Sequence, residues 1–385
     1  MAIGLNLPRA DMGRRDLAAP VRHVDWVLYL LVIAMSVFGS VMIYSATKGP
    51  DTSDTYFFFR QMLFVVLGTG IMSAVALLDY RVLRDFAWPI YGVAVFLLLA
   101  VLSPLGSESK GAQAWFSLAG FQLQPSELTK LAVIIALATL LESFRGEVSL
   151  TRLGQALAVV GAPMLLILLQ NDLGTMLVFA AITMGMLLVG GVRGRHIALL
   201  AVAALTLTVG VLTSDVLADY QKARLTTFID PEGSSGDDPG TAADTFNVRQ
   251  AQTAIANGGV AGQGLFEGQQ TQLAFVPEQQ TDFIFTVPAE ELGFIGAATV
   301  LALYGVIVWR IWRTAQLARD TFGTLLCVGV LSMFVFQLFQ NAGMAMGIMP
   351  VTGLPLPFMS YGGSSTLASF AAMGLVLSVH MHRFR

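Results

Sequence analysis

The sequence predicts an all-α integral membrane protein of ten transmembrane helices, with a large extracytoplasmic loop between the seventh and the eighth. Three observations carry that expectation. Apolar residues make up 55% of the 385-residue chain and charged residues only 12%, whereas soluble domains are about half apolar and about a quarter charged. The mean hydropathy is +0.69. Stretches near the length needed to cross a bilayer, about 20 apolar residues, recur along the whole chain.

The first 25 residues are polar and place Arg9, Arg14, Arg15 and Arg22 ahead of a spanning-length apolar stretch that lacks a small-residue cleavage site. They read as a retained cytoplasmic tail rather than a removable signal peptide, and nothing else around Arg14-Arg15 supports a twin-arginine export signal. The division is therefore 1–25 for the tail and 26–385 for the membrane domain. Spans are predicted at 26–46, 57–78, 86–103, 126–142, 153–169, 175–192, 196–214, 283–309, 322–345 and 362–380. The fourth is the weakest, because Glu127 and Lys130 sit in its first turn. Most Lys and Arg fall beside alternate span ends, which over an even number of spans puts both termini in the cytoplasm.

Inner loops are short, while two outer segments, 104–125 and 215–282, are long. Long loops in compact proteins are functional or irregular. Within the second, PEGSSGDDPGTAA at 231–243 predicts a mobile stretch, and Gln250 to Phe275 is Gly-rich with interspersed apolar residues, which suits packing against the membrane or re-entry. There is no second soluble domain and no internal repeat of the transporter kind. Glycine, at 38 residues, fits close helix approach in lipid.

Composition also excludes. The single cysteine, Cys327, allows neither a disulfide framework nor a cysteine-rich metal site. A formal charge of −3 gives no sign of nucleic-acid binding. No P-loop, HExxH, GxSxG or DxD string occurs, so the energy of any reaction must come from the substrate.

Ionisable groups near bilayer depth are costly and therefore informative. Asp282 closes the long outer loop just before an apolar run; it suits a helix N-cap and equally a general base at the membrane–water boundary. Glu127 and Lys130, in QPSELTK, share a helix face; they form a local ion pair with Lys130 snorkelling outward, or Lys130 binds an anion that Glu127 orients. Arg60, in FFFRQ, and Arg224, in YQKARLTTFIDPE, run against the inner bias for cations, so phospholipid headgroups or a bound pyrophosphate hold them. Asp172, in QNDLGT, caps the sixth span or pairs with an outer arginine. Glu290 and Glu291 need partners inside the bundle and read as structural.

Four strings together resemble one family: AWFSLAGFQLQPSELTKLA at 114–132, QNDLGT at 170–175, FVPEQQTDFIFTVPAEELGFIG at 275–296 and GIMPVTGLPLPFMSYGGSS at 347–365. They are similar to the SEDS family (shape, elongation, division and sporulation), with PEQ-TDF and PVTGLPLPF closer to its RodA branch than to the division branch. The likeness covers all ten predicted spans. Three places depart from the family's pattern: Gln280 stands where His is frequent, Asn171 where Pro is frequent, and Gln250-Ala251 with AIANGG where QS and AIGSGG are common. Neither Gln280 nor Ala251 is therefore assigned a catalytic role.

The resemblance implies a glycosyltransferase of the bacterial cytoplasmic membrane that joins lipid II into a growing lipid-linked glycan strand, with its active site extracytoplasmic and undecaprenyl pyrophosphate leaving. It implies Asp282 as the essential loop carboxylate, Trp115 as the outer-loop tryptophan, Glu127 and Lys130 as a fourth-helix pair, and Arg60, Asp172 and Arg224 as further polar cavity positions. An α-linked donor and a β1,4-linked product require inversion in one displacement, so Asp282 would be the base and Lys130, Arg60 and Arg224 would stabilise the pyrophosphate. Trp115 stacks on a sugar or anchors its loop in the interface. No cofactor is required by the sequence, and a divalent cation is neither required nor excluded. A class B penicillin-binding protein transpeptidase, elongation-complex proteins and membrane lipids are the implied partners. A flippase or transporter of the lipid-linked precursor, a scaffold for the transpeptidase, and the division or sporulation paralogue are the alternatives left open.

Overall fold

The computed structural model describes residues 23–48, 55–109, 112–118, 121–144, 148–202 and 239–384. Helices dominate: α1 (Trp26–Thr47), α2 (Tyr56–Leu77), α3 (Tyr80–Asp85) and α4 (Ala87–Val101) precede a small sheet of β1 (Ser107–Ser109), β2 (Ala112–Leu118) and β3 (Phe121–Leu123). Then come α5 (Pro125–Ser143), α6 (Leu150–Leu169), α7 (Leu173–Val189), a helical stretch at 194–202, α8 (Pro239–Gly258), α9 (Gln269–Gln272), α10 (Thr286–Glu291), α11 (Gly293–Leu317), α12 (Thr321–Ala345) and α13 (Gly363–His382). Six of them, α1, α2, α6, α11, α12 and α13, are long and apolar enough to cross a membrane, and α4 and α7 are shorter apolar helices. The chain is a multi-pass membrane protein.

The predicted fourth span is the centre of the bundle. α5 packs against α4, α6, α7, α12 and α13, and its residues from Leu131 to Ala138 are all buried. A helix enclosed on every side needs no polar face, which is why its apolar residues show no one-sided stripe. Glu127 and Lys130, which made it the weakest span by composition, are both buried.

The predicted eighth span is two helices rather than one. α10 ends at Glu291 and α11 starts at Gly293, whose φ of +66° is in the left-handed region that glycine adopts without strain. A Cβ there would stand 2.3 Å from the backbone nitrogen of Gly262, so the break is also a close approach. α11 then runs to Leu317, beyond the expected end at 309. The seventh predicted span, 196–214, is helical over its described part to 202, and the rest lies outside the described residues. In the tract 231–243, residues 239–243 open α8, with Pro239 at the position where a missing N–H costs nothing; 231–238 lie outside the described residues.

Segment 104–125, expected as an outer loop, contains an antiparallel sheet, in order β1-β2-β3, with Ser107 opposite Trp115 and Phe116 opposite Leu123. At the opposite end of the bundle, the Tyr80 hydroxyl donates to Asp320 at 2.9 Å, Arg81 pairs with the same carboxylate at 3.4 Å, and Asp320 caps α12 through Gly323 N at 2.7 Å. Burial, then the bond to Asp320, pushes the Tyr80 phenol up to about 12.

Candidate active site

A cavity of about 690 Å³ opens at the end of the bundle where α2, α5, α7 and α13 begin and α12 ends. Helix starts present free N–H groups and the positive end of the helix dipole. Of the four, α2, α5 and α13 have no side-chain cap. The cavity wall combines these starts with β2, the turn between α6 and α7, and the segments 278–282 and 352–355. Arg60, Trp115, Glu127, Asp172 and Asp282, which come from distant parts of the chain, all line it.

Asp282 is not a helix cap. α10 begins at Thr286, its N-cap position is Phe285, and no side chain caps it. Asp282 ends a tight turn in which its N–H donates to the carbonyl of Glu278 at 3.0 Å, and Glu278 itself has φ +54°. Gly353, φ +67°, passes so close that a Cβ on it would stand 3.4 Å from Asp282 Oδ2. The carboxylate therefore faces a bare stretch of backbone on that side.

Glu127 and Lys130 make the ion pair their spacing predicts, with Nζ 2.8 Å from each carboxylate oxygen. Lys130 does not snorkel. It is 1% exposed and lies behind Glu127, which lines the cavity where Lys130 does not. Asp172 caps α7 by accepting from Thr175 N at 2.9 Å and Thr175 Oγ1 at 2.7 Å, and it also accepts from Gln124 Nε2 at 3.1 Å. In that turn, outside both flanking helices, burial pushes the Asp172 carboxyl up, Thr175 opposes the shift, Glu127 adds to it and Lys130 offsets it. The three ionisable groups thus act on one another.

Arg60 lies in the second turn of α2, donates to the Tyr56 hydroxyl at 2.5 Å and sits over the rings of Tyr56 and Phe64. Trp115 is half-buried on β2, and its carbonyl accepts from Ser107 Oγ at 3.0 Å. Arg224 lies outside the described residues. Among the described residues no group of three or more His, Cys, Asp or Glu is placed to hold a metal ion.

Uncharged polar side chains fix this wall, and charge-based sequence reasoning passed them over. Gln61, next to Arg60 but fully buried, donates to Ser360 O at 3.3 Å and Thr366 Oγ1 at 3.1 Å. Ser360 donates to Thr281 O at 2.6 Å and accepts from Leu356 N at 2.8 Å. Ser364, in the first turn of α13, accepts from Gln124 N at 3.0 Å and donates to Gln122 O at 2.8 Å. Asn341, near the end of α12, donates to the carbonyls of Asp282 at 2.8 Å and Leu354 at 2.9 Å. The available signal was a Gln, Asn or Ser inside an apolar run, which needs a partner in a bundle as a charge does.

Glu290 and Glu291 are buried and bonded within the protein. Glu290 accepts from Gln270 N at 2.7 Å, Thr271 N at 3.0 Å and Thr271 Oγ1 at 2.7 Å, while Ser45 donates to Glu291. Cys327 is a free, buried thiol.

Comparison with known proteins agrees with this architecture. The family described as Cell cycle protein, FTSW_RODA_SPOVE, matches residues 25–385. A Geobacter sulfurreducens protein named probable peptidoglycan glycosyltransferase FtsW is 36% identical over 367 residues, covering 93% of this chain and 95% of its own. Escherichia coli K12 peptidoglycan glycosyltransferase MrdB is 36% identical over 362 residues, covering 94% of each. A chain in a solved structure described as structural coordination of polymerization and crosslinking by a peptidoglycan synthase complex superimposes with a TM-score of 0.79 at 35% identity, over 94% of this chain and 99% of that one. The match runs from just before α1 to the last residue and takes in every segment of the cavity wall, so this chain belongs to the FtsW, RodA and SpoVE family, which includes the Geobacter and Escherichia coli peptidoglycan glycosyltransferases.

Proposed function

We propose that this chain is a peptidoglycan glycosyltransferase that polymerises lipid II in the bacterial cytoplasmic membrane. The observation that carries the reading is the cavity that Asp282, Arg60, Trp115, Glu127 and Asp172 line together, at an end of the bundle where four helices start. In the proposed step, Asp282 takes the proton of the acceptor sugar's 4-hydroxyl. That oxygen bonds to the donor's anomeric carbon as the bond from that carbon to the phosphate oxygen breaks, and the lipid pyrophosphate leaves with the electron pair.

Arg60 and the uncapped starts of α2, α5 and α13 favour the charge of the leaving group, with Arg224 as a further cation. Lys130 contributes through Glu127, since Glu127 stands between it and the cavity. Trp115 supplies a flat apolar face for a sugar ring. No cofactor is needed for this step, and a divalent cation at the pyrophosphate is compatible with it.

The proposal further comprises ten spans, both termini in the cytoplasm, and 215–282 as an extracytoplasmic loop that brings Asp282 to the outer face. The proposed partner is a class B penicillin-binding protein, in keeping with the description of the structure whose chain superimposes on this one, a peptidoglycan synthase complex that coordinates polymerization and crosslinking. The wording PEQ-TDF and PVTGLPLPF favours elongation over division or sporulation. Complementation decides that point: rescue of rod shape supports elongation, and rescue of septation alone overturns it. For the activity itself, purified protein with lipid II in detergent, alone and with the partner, should yield glycan polymer. A folded protein that never polymerises but moves lipid II across a vesicle bilayer is instead a transporter.

A further inference from the structure

Two segments that reach the cavity wall, 278–282 and 350–356, are far apart in sequence, and the side chains of Asn341 and Ser360 join their backbones. Asn341 is fully buried. Its single amide nitrogen donates both to the carbonyl of Asp282, at 2.8 Å, and to that of Leu354, at 2.9 Å. Leu354 follows Gly353, on which a Cβ would stand in van der Waals contact with Asp282 Oδ2 at 3.4 Å. One amide therefore sets both the height of the Asp282 backbone and the position of the wall its carboxylate meets. Ser360 holds the neighbouring carbonyl of Thr281, so the segment is tied at two consecutive residues, but only the Asn341 tie ends on Asp282 itself.

We infer that Asn341 is a positioning residue that fixes the Asp282 carboxylate in the geometry needed for proton transfer, by clamping the Asp282 carbonyl to the 350–356 loop. This rests on Asp282 being the base. Ser360 ties the same two segments, from Thr281 O to Leu356 N, one residue away from Asp282. The amide donates where a carbonyl or a carboxylate cannot: an Asp in its place has the same shape and, when ionised, only acceptors. Misplacement of a base by about 1 Å costs on the order of 100-fold in rate. It leaves substrate binding, made mostly elsewhere in the cavity, largely intact.

The test uses the full chain with its partner, lipid II as substrate, and two variants. Asn341→Asp keeps the volume and can donate to at most one of the two carbonyls, and only when protonated; Asn341→Leu removes the polarity. Turnover is divided by the number of lipid II-binding sites measured in the same sample, so loss of folded protein is not counted as loss of rate. The expected result for both variants is a fall in turnover of at least about tenfold with KM within about twofold. Turnover per binding site within twofold of the parent overturns the inference, as does a loss in which KM rises in step with the fall in rate. Asp282→Asn in the same assay separates the two claims: an active Asp282→Asn removes the base assignment itself, whereas an inactive one beside active Asn341 variants removes only the clamp.

Discussion

Replacing Lys130 by Met tests the buried ion pair at the floor of the cavity. The side chains of Lys130 and Glu127 are 1% and 4% exposed, and Nζ lies 2.8 Å from both carboxylate oxygens. Removing one partner of such a pair strands a charge that burial has already stripped of water, which costs about 3–5 kcal/mol. Asp172 adds to the deficit, because Lys130 also offsets its charge and Glu127 repels it. Lys130→Met should therefore lower unfolding stability by about 3–5 kcal/mol, whereas Glu127→Gln with Lys130→Met should come within about 1 kcal/mol of the parent, since no unpaired charge is left. Chemical unfolding in detergent at pH 8, run on both single variants and the double as a cycle, measures this. A Lys130→Met protein as stable as the parent at pH 8, or a double variant no better than the singles, refutes the pairing. A double variant that regains stability but not polymerisation assigns the pair a role in the reaction beyond holding the fold.

Three further outcomes follow from the same structure. Burial raises the Asp172 carboxyl, so the stability it supports is complete below the ordinary aspartate range and is lost as pH rises through the raised value; Asp172→Asn, an equally good cap, should match the parent near pH 4 and exceed it in thermal stability at pH 8. Tyr80→Phe removes the 2.9 Å bond to Asp320 and should cost about 1–2 kcal/mol, read by the same unfolding assay, with polymerisation unchanged because the cavity is at the other end of the bundle. Glu290→Gln keeps the volume but replaces one acceptor oxygen by a donor opposite Thr271 or Gln270; it should cost about 1–3 kcal/mol and speed amide hydrogen exchange at Gln270 and Thr271.

Long apolar runs made most spans legible, because length and hydropathy are set by the bilayer rather than by neighbours. Observed α1, α2 and α6 agree with the predicted 26–46, 57–78 and 153–169 to within a few residues. Where the sequence misled, the cause was local backbone geometry. A left-handed glycine at 293 splits an apolar run that hydropathy reads as continuous, and β1 to β3 are too short and too mixed to show a period of two. Asp282 suggested a cap because it precedes an apolar helix, but the turn 283–285 intervenes. Of the candidate site, the charged positions could be named from their cost in lipid, and the four matched strings ordered them. That Lys130 stands behind Glu127 could not be read, since helix spacing gives a shared face but not its depth. Asn341 carried one signal, an amide inside an apolar run, but its partners are backbone carbonyls and leave no pattern in the sequence.

The central claim is that the Asp282 carboxylate takes the proton from the acceptor hydroxyl, and single-turnover polymerisation of lipid II by Asp282→Asn with the partner bound tests it most directly. Asn preserves the shape and can still accept from neighbouring donors, but it is not a base at neutral pH. The account predicts a folded protein that binds lipid II as the parent does and forms glycan at least about 100-fold more slowly. Polymerisation within a few-fold of the parent would contradict it.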